Sequence, residues 1–413
     1  MSPRGITALM LAAAVAAACN DTDRDSRESA RPAPSAPSTQ ASAPATASGG
    51  VPQASASAPP ASTAAPEPAP GPAPEFVIVA GGDVNLGRET GQTILKDPNY
   101  NPLLQLTPIF KGADYRFVNL ESQLSDQGGE TQSKLNRLIF TGPPGGGRML
   151  ANASIDVVSI ANNHAWDYGK SAFLETLRHL EEAGVGFAGA SAAPNQQYKP
   201  HIFRAKGWSV ATFAVTHIWN QGEISKHPGQ AHVAWARYDL LHNAIKRAKR
   251  EHDLVLVSYH GGGEYIDVPL VMTREFVRAV MNAGVDVLIG HHPHVVHGVS
   301  WYDTRPAFYS LGNLVFNMHK DYEWTGTGFL ARLSFRRDAP PKVHACPYHI
   351  LGHTPTLYDG PGKAQLERAF AQRLKQVSLT VGGTSVGEPA EYSCMELTPP
   401  EKKEPAKPKQ RRR

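Results

Sequence analysis

The chain has 413 residues, 41% of them hydrophobic and 19% charged, which is enough for one large domain or two average ones with a real core. Its formal net charge is +4, but Glu401–Arg413 carries seven Lys/Arg against two Glu, a balance of +5, so +4 less +5 leaves −1 elsewhere. That excludes a broadly basic nucleic-acid-binding surface, and three cysteines are too few for a disulfide framework or a zinc ribbon.

At the N-terminus, Arg4 precedes an apolar run from Ile6 to Ala18 that ends in Ala16-Ala17-Ala18-Cys19. A basic start, a short apolar core and small residues before a cut site predict a signal peptide over 1–18. The run is too short and alanine-rich for a transmembrane helix. Cys19 resembles the lipidated residue of a bacterial lipoprotein signal. Ala16 stands where that signal usually carries Leu, so an ordinary cleavage site nearby is the alternative. Twelve prolines then fall between Pro32 and Pro74 among Ala, Ser, Thr and Gly. Such a stretch cannot bury enough apolar surface to offset ordering entropy, so 19–75 reads as a disordered linker. The expected location is outside the cytoplasm, membrane-anchored through Cys19 and facing the periplasm or cell surface. In that setting Cys346 and Cys394 could pair.

From Phe76 onward, apolar runs alternate with amphipathic stretches, which predicts an α/β body. Strands are expected at 76–80, 115–120, 156–160, 208–215, 254–259, 285–289, 307–309 and 329–335. Helices are expected at 170–183, 238–250 and 273–283; Phe173, Leu174, Leu177 and Leu180 share one face of the first, and Gly184 stops it. The body divides into a main domain over 76–336 and a C-terminal extension over 337–398 packed on it. Residues 399–413 form a basic disordered tail.

Five of these strands end in polar clusters: Gly82-Asp83, Asn119-Leu120-Glu121, Asn162-Asn163-His164, His260 through Glu264, and Gly290-His291-His292-Pro293-His294. Ligands of α/β proteins bind outside the carboxyl ends of strands, so five segments would deliver their polar residues to one rim. Asp, Glu, Asn and His are the oxygen and nitrogen donors of divalent transition metals, and no thiolate takes part. Two-metal sites need a bridging carboxylate with imidazoles on either side, and they stabilise both the attacking and the leaving oxygen of a displacement. Asn163 offers a neutral oxygen beside His164, an imidazole suited to general acid work. Asp83 alone reads as a turn cap, Glu121 alone as a solvated side chain and Asn163-His164 as a satisfied turn, whereas the His-rich turn His291–His294 by itself already favours a metal. Their convergence favours a metal centre. No Gly-x-Ser-x-Gly elbow is present, and no phosphate-cradling Gly-x-x-x-x-Gly-Lys-Ser/Thr loop.

The strings Gly82-Asp83-Val84-Asn85-Leu86-Gly87-Arg88, Asn119-Leu120-Glu121, Ala161 through Gly169, His260–Tyr265, Gly290–Val296 and Tyr309 through Asn313 resemble the bacterial CapA family. This is the capsule or poly-gamma-glutamate synthesis family of the calcineurin-like metallophosphatase superfamily. The resemblance runs from about Gly81 to Phe316 with its motifs in family order. It implies a two-sheet α/β sandwich with one or two divalent ions (Mn, Fe or Zn) held by strand-end loops. It further implies Asp83, Glu121, Asn163, His260, His292 and His294 as ligands and His164 as the catalytic imidazole. His291 competes with His292 for the register of the last motif. Arg88, Asn85, Asn119, Asp167, Glu264 and Asn313 are expected around substrate or behind the ligands. Two departures stand out. Asn85 replaces the His of the general Asp-x-His motif, which implies one tight ion and one weak one. Gly261 replaces an aromatic residue, which implies a wider pocket. The expected function is a metal-dependent hydrolase acting on a phosphoester or an amide of an anionic polymer. The alternative is a non-catalytic factor that helps a membrane capsule synthase complex and holds a structural metal.

Overall fold

The computed structural model describes residues 74–316 and 322–401. The expected signal peptide, Cys19, nearly all of the linker and nearly all of the basic tail lie outside them. No helix among the described residues is long and apolar enough to cross a membrane.

Two sheets form the body. In the first, the neighbours run 385–389, 395–398, 339–351, 327–336, 76–84, 115–120, 157–159 and 186–188. In the second they run 299–302, 305–308, 287–291, 254–260, 208–216 and 201–205. The strands from 76–84 to 186–188 are mutually parallel, as are those from 208–216 to 305–308. Parallel pairing requires both faces to be covered, and strand alternation does this. In Phe76–Val84, the side chains of Phe76, Ile78 and Ala80 enter the core between the sheets, while Val77 and Val79 face the opposite side. In Leu254–His260, Leu254 and Leu256 share that inter-sheet core, whereas Val255, Val257 and Tyr259 lie outside it.

Helices close the two outer faces. Phe173, Leu177 and Leu180 of the helix Gly169–Ala183 pack on the first sheet. Leu241 and Ile245 of Tyr238–Glu251, with Phe276, Val277 and Val280 of Val271–Asn282, pack on the second. The result is the two-sheet α/β sandwich expected from the sequence. Each fully buried Phe, Leu or Ile contributes about 1.5–3 kcal/mol through apolar burial. A polar contact links the sheets within the core: the Tyr115 hydroxyl meets Thr212 Oγ1 at 2.7 Å. It keeps both groups hydrogen-bonded inside apolar surroundings.

The segment 337–398 is part of the first sheet as well as a cover for the core. Ala339–Leu351 pairs with Thr327–Arg336 along most of its length, and Met395–Thr398 pairs in turn with Val343–Ala345. The helix Lys363–Ser378 places Phe370, Leu374 and Val377 in the inter-sheet core. Cys346 and Cys394 are joined by a disulfide across 48 residues, tying the last strand to the sheet.

Register brings the strand-end clusters together. Asp83 lies opposite Asn119 on one side and Asn313 on the other, and His291 lies opposite His260. Close backbone approach depends on two glycines. A Cβ at Gly82 would fall 1.8 Å from the Gly312 carbonyl oxygen, and one at Gly290 would fall 2.1 Å from that of Tyr309.

Candidate metal centre

Asp83 and Glu121 are fully buried, as is His260; His292 and His294 are each 4% exposed. Three overlapping donor groups emerge, with their ligand atoms within 4.8 Å of one another: Asp83, Glu121 and His294; Glu121, His260 and His292; Glu264, His292 and His294. Glu121 and the two late histidines are shared between groups, the arrangement a pair of ions requires. Glu264 is exposed and closes the set from the solvent side.

Among the described residues neither Glu121 oxygen has a hydrogen-bond partner, although both are buried. Its Oε1 lies 3.6 Å from His260 Nε2 and 3.8 Å from His294 Nε2. Burial, and then the nearby Asp83 and Glu264 carboxylates, push the Glu121 carboxyl well above the usual range. An unpartnered buried carboxylate is costly, and a cation among these nitrogens would satisfy it. The His292 Nδ1 is likewise buried without a partner. Burial, with His294 nearby, holds the His292 imidazole down at about 3, so it is neutral at pH 7 and has a lone pair for a metal. These observations show that the residues fit a divalent ion.

Neighbouring groups fix the ligands in place. Asn119 Nδ2 donates to Asp83 Oδ1 at 2.9 Å and lies 3.2 Å from His260 Nδ1. Asn163 Oδ1 meets His260 Nε2 at 2.8 Å, so both expected ligands face the same point. Asn313 Oδ1 lies 2.9 Å from His294 Nδ1, which leaves His294 Nε2 toward Glu121. The His292 N–H donates to Asp83 Oδ2 at 3.2 Å. His292 and His294 have φ values of +95° and +58°, strained backbone of the kind stored at functional sites.

His291 takes a different place. Its Nδ1 is 3.2 Å from Asp83 Oδ1 and its ring packs near Phe117, and it belongs to none of the three donor groups. Asn85 turns inward to accept from the Gly87 N–H at 2.8 Å. The Cβ direction of Gly261 is filled by Tyr259, whose hydroxyl would lie 2.6 Å from a Cβ there. His297 is buried and makes a 2.6 Å hydrogen bond to the Ile266 carbonyl.

His164 stands at the edge of this cluster. Its Nδ1 lies 2.8 Å from Asp167 Oδ2, and its backbone N–H donates to Asn162 Oδ1 at 3.1 Å. A carboxylate oxygen accepts, so the proton sits on Nδ1 and Nε2 stays clear of this contact. Gln221 donates to the other Asp167 oxygen at 3.2 Å, and the Phe140 N–H to Oδ2 at 3.0 Å. The His164 ring packs on Phe140 with centroids 4.1 Å apart, and the Arg88 guanidinium lies 4.4 Å from the same Phe140 ring. Phe140 and Gln221 escaped the sequence reading because neither sits in a polar strand-end cluster. Asn162 lay inside one, and its position beside Asn163 was the available signal.

The sequence is 29% identical to the PGA biosynthesis protein CapA of Bacillus subtilis (strain 168) over 284 residues, which is 66% of this chain and 71% of that protein. It is 28% identical to the capsule biosynthesis protein CapA of Bacillus anthracis over 253 residues, 60% of each chain. A putative 5'-nucleotidase structure from Staphylococcus aureus aligns with a TM-score of 0.40 at 15% identity, covering 76% of this chain and 60% of that one. Residues 77–318 match the family described as bacterial capsule synthesis protein PGA_cap, more than half of the chain. The chain therefore belongs to the PGA_cap family of bacterial capsule synthesis proteins.

Proposed function

We propose that this protein is an envelope-located, metal-dependent hydrolase that cleaves a phosphoester or amide in an anionic capsule polymer. The observation carrying this reading is the buried Glu121 carboxylate, unpartnered yet ringed by His260, His292 and His294. Asp83, Glu121, Asn163, His260, His292 and His294 would hold one or two divalent ions. When bound, such an ion supplies Lewis-acid chemistry at neutral pH. His164, held through its Nδ1 proton by Asp167, presents Nε2 toward the leaving group and would deliver to it a proton taken up at that nitrogen. Asn119 and Asn313 keep the imidazoles aimed inward, and Asp167 is itself fixed by Phe140 and Gln221. Export and anchoring through Cys19 fit the Cys346–Cys394 disulfide, since such bonds persist in oxidising compartments.

A second reading draws on the depth of the donors. Asp83, Glu121 and His260 are fully buried, as in a structural metal site, which suits a factor assisting a membrane synthase. A screen of phosphoesters and gamma-glutamyl peptides with added manganese separates the two. Turnover lost in His164→Ala with metal retained supports the hydrolase. Metal retention without any turnover in the wild type supports the assembly role.

A further inference from the structure

Beside the metal centre lies a cavity of about 620 Å³, lined in part by Arg88, Gln127, Glu130, Thr131 and Lys134. Arg88 joins the two spaces. Its Cζ is 4.4 Å from the Phe140 ring centroid and 5.8 Å from that of Phe316. Among the described residues its guanidinium makes no hydrogen bond or ion pair, and its Nε is buried without a partner. A half-buried guanidinium that has lost water without gaining a carboxylate is costly unless a ligand completes it. Glu121 and Asp167 act on its charge favourably, yet neither bonds to it.

The wall carries charges of both signs. Glu89 is exposed, and Glu130 accepts from the Tyr168 hydroxyl at 2.7 Å, which turns that carboxylate oxygen to a partner outside the cavity lining. Lys134 lines the cavity from an exposed loop, and Arg137 of the same loop acts on the Arg88 charge. Neither cation has an ion-pair partner among the described residues. Phe140 also carries the His164 ring, so an anion seated on Arg88 would lie beside the proposed proton donor. A planar guanidinium fixed by a ring suits bidentate recognition of a carboxylate or a phosphate.

We propose that Arg88, seated on Phe140 at the junction of cavity and metal centre, recognises an oxyanion of the substrate adjacent to the bond that is broken. This rests on the hydrolase reading for its bond, but the subsite can be tested by binding alone.

The test is calorimetric titration of the manganese-loaded full chain with a gamma-linked glutamate decamer and, separately, with inorganic phosphate. Arg88→Met keeps the apolar stem and removes the charge. The expected result is about 10- to 100-fold weaker binding, the worth of a charge-assisted hydrogen bond, with unchanged manganese content. Loss confined to the decamer assigns a carboxylate, and loss confined to phosphate assigns a phosphoryl group. Failure of the wild type to bind either probe overturns the proposal. So does unchanged affinity in Arg88→Met, or manganese loss in that variant. If Arg88→Met does not fold, the exposed pair Lys134→Ala/Arg137→Ala carries the test. There, several-fold weaker binding supports a cationic entry to the subsite, and unchanged binding overturns it. Binding without turnover would sink the hydrolase reading and leave the subsite standing.

Discussion

Glu121→Gln separates a metal ligand from a structural carboxylate because it should move stability in opposite directions with and without metal. In the metal-free protein, burial raises the Glu121 carboxyl well above its ordinary value of 4.5. Over a range above pH 4.5 the folded state therefore holds a proton that the unfolded state has released. Stability from this group is present below pH 4.5 and is lost as pH rises through the folded value. Glutamine has nearly the shape of the protonated acid and no titration, so metal-free Glu121→Gln should melt no lower than wild type at pH 8. With metal, the order reverses. A ligand at 100 times its Kd stabilises the folded state by about 2.7 kcal/mol. For roughly 325 folded residues the unfolding entropy is about 0.7 kcal/mol/K, so the wild type should gain about 4 °C. Without the central carboxylate, the variant should gain less than about 1 °C at the same manganese concentration. Scanning calorimetry with and without manganese reads both halves. A Glu121→Gln protein that keeps the full manganese shift refutes the assignment of Glu121 as a ligand. A metal-free variant melting well below wild type would show that the carboxylate supports the fold directly.

Other perturbations reach different parts of the molecule. Asp167→Asn keeps the shape beside His164 Nδ1 but weakens its hold on the tautomer; kcat should fall about 10²–10⁴-fold with manganese content unchanged, as single-turnover assays would show. Reduction of Cys346–Cys394 frees a 48-residue loop, and loop-closure entropy puts the loss at about 4 kcal/mol, measurable by urea denaturation with and without reductant. Burial holds His297 down at about 4. The folded state thus resists a proton that the unfolded state takes up below pH 6.5, so this stabilisation is present above 6.5 and lost as pH falls toward 4. The window corresponds to about 3 kcal/mol, and His297→Gln should remove that much of the pH dependence measured by denaturation. Gly82→Ala forces a Cβ to 1.8 Å from the Gly312 carbonyl; a loss of about 3 kcal/mol or more, or failure to fold, is expected in a melting experiment.

How much of this was readable in advance depended on whether the signal was local. Phe76–Val84 and Leu254–His260 announce themselves because apolar residues occupy both faces, as a buried parallel strand requires. Thr327–Arg336 is equally plain, yet its partner Ala339–Leu351 opens with two prolines and carries Lys342, His344 and His349. Its pairing comes from register with a neighbour and is not carried by its own pattern, so it read as an extension. The helix Lys363–Ser378 was missed for a related reason: its apolar stripe is thin, and only its place over the inter-sheet core makes Phe370 and Leu374 decisive.

The same distinction runs through the site. Asp83, Glu121, His260 and His294 lie at strand ends, where chain polarity alone puts ligands on one rim. Phe140 belongs to no such cluster, being an aromatic residue in a polar loop segment. Yet its ring touches His164 and Arg88, and its N–H holds Asp167. Nothing in the string Leu138-Ile139-Phe140-Thr141 points to that role, because it arises only when the loop folds over the end of Phe76–Val84. Motifs therefore mark the residues that could hold an ion, whereas the packing around Phe140 decides where the His164 imidazole and the Arg88 guanidinium sit. Two proteins sharing every strand-end motif could differ in what they bind through this one side chain.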